Sequence, residues 1–232
     1  GKEWLYSMQN PDGGWSAFVW DLPPKKPGPM MEKNARIEMG NPLAMVGAVL
    51  HPPPVTGDPS TEALTSRVLH GLGQLGESVN SSPSVVKAVE FLKKQQWTNG
   101  AWWGRWVVNY LSASAFVLLG LRAVGVDMKE AWVQRAVRWM ISKQNADGGW
   151  GEGPESYVNE SAAGVGPTML PLTALVVQAL IDAGEGDSEA VQKAMRLLLK
   201  TQRADGTWSN GAYLHTNVPP DTFYVYPEAA RF

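Results

Sequence analysis

Apolar positions recur with helical spacing in three separated stretches of the chain. In residues 84–95, Val85, Val86, Val89, Phe91 and Leu92 form a stripe between Lys87, Glu90, Lys93 and Lys94. That pattern predicts an amphipathic, half-exposed helix. Residues 129–143 repeat it with Trp132, Val133, Ala136, Val137, Trp139 and Met140, and residues 188–201 with Val191, Met195, Leu197 and Leu198. Between them, 112–124 and 170–183 are nearly free of charge, and a helix apolar all round is a buried one. A third inner helix is expected over 61–75, with Asp58 or Ser60 as its cap. Gly76, Gly125 and Gly184 stand where these inner helices should stop. Residues 23–57, bounded by the proline clusters PPKKPGP and HPPP, read as an irregular loop or insertion. No β-rich stretch is expected beyond short extended pieces around 102–108.

Each outer helix ends in the same words. Gln, three residues, Gly, one residue and Trp occur at Gln9 to Trp15, Gln96 to Trp102, Gln144 to Trp150 and Gln202 to Trp208, with Asp12, Asn99, Asp147 or Asp205 just before the glycine. Such a repeat sets architecture before any single residue is read. The Asp/Asn-Gly pair supplies a left-handed turn at the helix end, where the last carbonyls lack partners. Glutamine has donors and an acceptor with which to bridge its own loop and a neighbouring helix end. Tryptophan adds a large covering face. The motif is therefore read as a structural staple between adjacent helical hairpins at the rim. Outer polar-faced helices alternating with inner apolar ones describe an all-α fold, a double-layered α/α barrel, or toroid, of helical hairpins.

Composition removes several function classes. Twenty Lys and Arg against 22 Asp and Glu, with no block of like charge, give no nucleic-acid footprint. Without cysteine there are no disulfides, thiolate zinc sites or cysteine nucleophiles. His51, His70 and His215 are scattered, so no metal site and no cofactor are expected. No apolar run reaches the length of a membrane span, and residues 1–9 are not patterned as a signal peptide.

The Q-x-x-x-G-x-W repeat resembles the QW motif of the squalene-hopene and oxidosqualene cyclases, which are class II terpene cyclases. Gly104-Arg105-Trp106 with Val108-Asn109-Tyr110-Leu111, then QNADGGWGE from Gln144 to Glu152, then DTFYVY from Asp221 to Tyr226 follow the order of the C-terminal part of squalene-hopene cyclases. The resemblance covers nearly all of residues 1–232 as one C-terminal α/α-barrel domain. It implies triterpenoid-type chemistry: a linear polyprene such as squalene is protonated at one end and folds through a carbocation cascade to a polycycle. In the family the proton comes from a D-x-D-D motif without metal. Every Asp in this chain stands alone. Roughly three and a half hairpins are legible where a full six-hairpin barrel is implied, so the barrel is expected to be incomplete. The expected reading is a C-terminal segment that supplies cavity wall, is inactive alone, and works with a missing N-terminal part of the same protein. The resemblance also implies a cytoplasmic enzyme, peripheral (monotopic) on the membrane through its full-length form.

Candidate site residues follow from the same resemblance. Phe18 stands where these cyclases have a cavity tyrosine, and Trp106 matches a cavity-lining aromatic. Phe223 and Tyr226 match aromatics near the far end of the cavity, while Tyr224 reads as packing. A desolvated cation over such a ring gains ~2 kcal/mol or more, and the ring does not trap it as water does. Ser112 replaces a tyrosine implicated in reprotonating the acid. Arg67, in DPSTEALTSRVL, stands where the family places a histidine that pairs with the catalytic aspartate. A permanent cation there would sharpen the acid. Arg67 is equally open to pairing with Glu62, and Tyr157 to being a loop residue or a substrate contact. Trp102, Trp103, Trp132 and Trp139 read as packing. The reading from a different class is a non-catalytic α/α barrel that binds a lipid or a partner chain. Protein prenyltransferase β subunits share the barrel but need a zinc-binding cysteine, which this chain lacks.

Overall fold

The computed structural model describes residues 1–17 and 59–209 in full, and the backbone of 213–218 and 222–225. Outer helices α1 (Lys2–Ser7), α3 (Pro83–Gln95), α5 (Ala131–Ser142) and α7 (Glu189–Thr201) alternate with inner helices α2 (Glu62–Gln74), α4 (Tyr110–Ala123) and α6 (Leu170–Leu180). The termini are chemically marked. Ser82 and Ser188 accept the N–H groups of Val85 and Val191 at the starts of α3 and α7, and Lys93, Lys94 and Lys200 lie in their last turns. α4 is buried on nearly every side, between α2 and α6 and against the outer layer. Glycine sets how closely α2 and α4 pack. A Cβ on Gly120 would lie 2.5 Å from the Ser66 carbonyl oxygen, and one on Gly73 2.4 Å from that of Ala123.

The repeat motif is one bonding pattern, complete in three copies and partial in the fourth. Gln9, Gln96 and Gln144 each donate Nε2 to the glycine carbonyl of their own loop and to a carbonyl in the first turn of the next outer helix, at Ser84, Trp132 and Ala190 respectively. Every motif tryptophan donates its indole N–H backward to the preceding outer helix, at Leu5, Leu92, Met140 and Leu198, over 2.7–2.8 Å. The Asp or Asn oxygen accepts the N–H two residues on. Gly13, Gly100, Gly148 and Gly206 all have φ between 82° and 100°, the left-handed turn that the Asp/Asn-Gly pair predicts. Gly100 also packs on α5, where a Cβ would meet the Arg135 carbonyl oxygen at 2.7 Å. Trp102 and Trp150 are fully buried, and Trp103, Trp132 and Trp139 nearly so.

Two of the three loops between a motif and its inner helix are pinned at the base. Asn10 donates to the Ser60 hydroxyl, which donates to Asp12; Asn145 donates to Thr168, which donates to Asp147. The first pin joins the motif to the residue before the α2 cap, and the second closes the loop of 151–169. The second loop, only 103–109, follows a motif with Trp97 in place of Asn10 and Asn145, and has no such pin.

Several expectations shift. Thr61, rather than Asp58 or Ser60, caps α2 by accepting the Leu64 N–H, because Ser60 is committed to Asn10 and Asp12. α4 begins at Tyr110, one half-turn before 112, and α6 passes into a wider π turn at Ile181–Glu185. The inner helices end at Gly76, Gly125 and Gly184, each with positive φ, as expected. After the fourth motif an antiparallel ribbon, β1 (Tyr213–Val218) with β2 (Thr222–Val225), appears where no β structure was expected. The bonds of such a ribbon run between strands, so helical periodicity does not signal it. The insertion at 23–57 lies outside the described residues.

Removing the glutamine should cost stability only where it bridges two hairpins. Gln96→Ala leaves the Gly100 and Trp132 carbonyls without their shared donor and is expected to lower unfolding free energy by about 1–3 kcal/mol. Gln202, exposed and bonded to Gly206 within its own loop, should cost no more than about 0.5 kcal/mol as Gln202→Ala. Urea unfolding of the two variants decides this; equal losses would contradict a bridging role.

Candidate functional site

Because α4 is enclosed on its other sides, its open stripe of Phe116, Leu119 and Arg122 marks the face turned from the outer layer. Arg67 of α2 reaches the same face, with its guanidinium carbon 4.1 Å from the centroid of the Phe116 ring. Its side chain is exposed overall, yet desolvation against neighbouring groups still lowers its pKa from the ordinary arginine value. A cation is thus already held on an aromatic face beside the inner helices.

Arg67 does not pair with Glu62. Five residues along a helix turn a side chain by roughly 140°, so the two point to different sides. Ion pairs among the described residues are Lys2–Glu77 and Lys93–Glu130. Glu62 is instead 7% exposed, and burial pushes its carboxyl up to about 8. At neutral pH it is mostly a neutral acid at the start of α2.

The start of α4 carries the densest chemistry. Asn109 occupies the N-cap position, but its Oδ1 accepts the Gly104 N–H at 2.9 Å rather than a helix N–H. Glu152 supplies the cap from another loop. Its Oε2 accepts Leu111 at 2.8 Å and Asn109 at 3.3 Å, its Oε1 accepts Tyr110 at 3.1 Å, and the Gly164 N–H also favours its charged form. Burial raises the Glu152 pKa, and these four donors oppose the rise. Every contact comes from a donor, so the ionised carboxylate is the form the pocket fits. Tyr157 binds the same two segments, its hydroxyl 2.6 Å from the Val107 carbonyl and 2.9 Å from that of Gly104. Its hydroxyl therefore serves the loop. Its ring meets Trp103 edge-on at 5.7 Å.

Trp106 lies in this 103–109 segment, half-buried, with the buried Arg105 guanidinium 5.4 Å from its ring. Desolvation lowers the Arg105 pKa. Ser112 sits in the first turn of α4, buried, with its hydroxyl donating to the Val108 carbonyl at 2.8 Å. The structure thus brings Trp106 and Ser112 together at one end of α4, with Arg67 on the neighbouring helix α2. Phe18 and Tyr226 lie outside the described residues, and Phe223 is placed only by its backbone on β2, opposite Thr216. Sequence reasoning missed Glu152, Tyr157 as a pin, and Phe116. A lone carboxylate two residues past a buried motif tryptophan, in Trp-Gly-Glu, was the available signal for the first. Among the described residues no group of His, Asp and Glu is placed to hold a metal, and no helix is long and apolar enough to cross a membrane.

Comparison with known proteins bears on this geometry. Residues 1–231 match the family model of the squalene-hopene cyclase C-terminal domain. The probable squalene-hopene cyclase of Sinorhizobium fredii is 33% identical over 234 residues, covering 100% of this chain and 33% of that protein. The squalene-hopene cyclase of Alicyclobacillus acidocaldarius is 35% identical over 226 residues, covering 97% of this chain and 33% of that protein. The chain spans about a third of the length of these curated relatives. Among solved structures, a variant of type II terpene cyclase MstE from Scytonema, in complex with geranylgeranyl dihydroxybenzoate as substrate, aligns with TM-score 0.59 at 20% identity. The alignment covers 95% of this chain and 53% of that one. The fold is thus that of the class II terpene cyclases, an α/α barrel.

The buried Glu62 gives a pH signature. Unfolded, it loses its proton near the ordinary value of 4.5; folded, near 8. Folding takes up a proton between those limits, so its contribution to stability is greatest below 4.5 and is lost as pH rises to about 8. The slope is at most about 1.4 kcal/mol per pH unit. Glu62→Gln should flatten that decline, with the two proteins closest near pH 5 and the variant melting higher at pH 8. Parallel melting curves across this range would refute the assignment.

Proposed function

The chain belongs to the squalene-hopene cyclase C-terminal domain family, and from that membership we propose that it forms cavity wall in a class II terpene cyclase. The reaction is an intramolecular isomerisation: a linear polyprene such as squalene is protonated at one end and closes through a cascade of carbocations. The observation that carries this reading is the guanidinium of Arg67 held over Phe116 on the open face of the inner helices. A wall of rings and aliphatic side chains stabilises a passing cation and offers it no nucleophile.

The proton donor is assigned to a D-x-D-D motif elsewhere in the same protein, because the Asp residues of this chain are isolated. Arg67 is the acid-tuning partner: its permanent charge beside that carboxylic acid would favour the carboxylate and make the acid stronger. Trp106, Phe18, Phe223 and Tyr226 are assigned to the cavity wall. Ser112 lines the start of α4 without offering a free hydroxyl, since that group already donates to Val108. The segment alone is inactive on this reading. The full-length protein is cytoplasmic and meets the membrane peripherally, where its polyprene substrate resides.

Incubating the complete protein with squalene and with shorter prenyl substrates, followed by product analysis, tests the reading. Cyclic products support it. Their absence, together with the lack of any encoded D-x-D-D, would leave a non-catalytic lipid- or partner-binding barrel. In the active protein Arg67→Leu should lower kcat by on the order of a hundredfold or more, the scale of lost acid catalysis, with a much smaller change in KM. Comparable losses in both would assign Arg67 to substrate binding instead.

A further inference from the structure

The three inner helices begin in different ways, and only one enlists a distant charge among the described residues. α2 is capped by its own Thr61, and α6 starts after Met169 with Pro171 and no side-chain cap. At α4 the residue best suited to cap, Asn109, has turned its side-chain oxygen to Gly104. Glu152, some forty residues on and 2% exposed, takes over. Burying a carboxylate is expensive, where a serine or threonine at the cap would hold the helix end at little cost. What the distant carboxylate adds is a connection. It fastens the segment that follows the third motif to the segment that carries Trp106 and to the first turn of α4.

We propose that Glu152 is a positioning residue of the cyclisation cavity: by gripping the backbone N–H groups of Asn109, Tyr110 and Leu111, its carboxylate fixes the Trp106 segment and the start of α4 against the polyprene. The proposal rests on the cyclase reading. Those three N–H groups engage both oxygens of the carboxylate, and the Gly164 N–H also favours its charged form. The group is then held in place, with its oxygens turned to the backbone rather than to a carbocation intermediate. The positive end of the α4 helix dipole balances its charge. Tyr157, donating to carbonyls of the 103–109 segment, braces the same junction from the same loop. Trp106 is three residues before Asn109 and Ser112 one after Leu111, so any slackening at Glu152 reaches both. A cascade in which each ring closure depends on how the chain is folded is sensitive to such movement, since a displacement of about 1 Å can cost a hundredfold in rate.

The experiment uses the full-length protein with Glu152→Gln, which keeps the shape and removes the charge, and Tyr157→Phe, which loosens the junction while leaving the carboxylate in place. Glu160→Gln, an exposed change in the same loop, is the control. Amide hydrogen exchange over 109–111 reads the grip directly. Glu152→Gln is expected to speed exchange there by about tenfold or more while amides in α3 stay protected. With squalene as substrate, kcat should fall by about a hundredfold, KM should stay within about threefold, and partially cyclised products should appear. Tyr157→Phe should shift products in the same direction by less, and it carries the test if Glu152→Gln does not fold. Unchanged exchange at 109–111 would overturn the proposal, as would faster exchange with the wild-type product spectrum and rate. A wild-type protein that makes no cyclic product overturns the cyclase reading and the cavity role with it. That failure is distinguishable, because the exchange measurement reads the grip without turnover.

Discussion

The whole assembly hangs on backbone carbonyls that helices leave unsatisfied at their ends. A motif glutamine donates forward to the next outer helix, and a motif tryptophan donates backward to the last turn of the preceding one. Neither bond works without the left-handed glycine between them, which turns the chain tightly enough to bring both side chains to the same rim. Each staple therefore spans three elements: the outer helix it ends, the loop it closes and the outer helix that follows. Repetition of that unit makes the outer layer regular, while Gly73 and Gly120 set how closely the inner helices α2 and α4 approach.

Regularity within the motif leaves the rest of each outer-to-inner connection free to vary. There the chain passes from a motif tryptophan to an inner helix through loops of very unequal length. The two longer ones are tied at the base by matching Asn, Asp and Ser or Thr contacts. The short middle loop has none of these; it is held instead by Tyr157 and, at its helical end, by Glu152. Structural and functional demands are thus separated along the chain. In each outer-to-inner connection the motif is standardised, and the segment after it is the one that varies and, in the middle case, carries Trp106.

Two buried carboxyl groups illustrate how environment decides what the same chemistry does. Glu62 and Glu152 both lie beside the starts of inner helices, and both are nearly inaccessible to water. Glu62 has no ion-pair partner among the described residues, and burial pushes its pKa to about 8. Burial raises the Glu152 pKa as well, but there backbone N–H groups oppose the rise and its hydrogen bonds all come from donors. The first is stable as a neutral acid, and the second is suited to remain an anion.

Much of this architecture was legible from residue order alone. Gln9, Gln96, Gln144 and Gln202 with their glycines and tryptophans announced the staple, and charge-free stretches announced the inner layer, because helix ends and helix faces are local properties with short-range signatures. The stops at Gly76, Gly125 and Gly184 were legible for the same reason. The site was less so. Ser60 looked like a cap and is a loop pin; Arg67 and Glu62 looked able to pair and face apart; the hydroxyl of Ser112, assigned to the cavity, donates to Val108. Glu152 lay within a recognised stretch with no sign that its partners were some forty residues earlier. Helix type and helix order follow from periodicity. Which buried donor meets which acceptor depends on how the layers pack, and only the tertiary structure decides it.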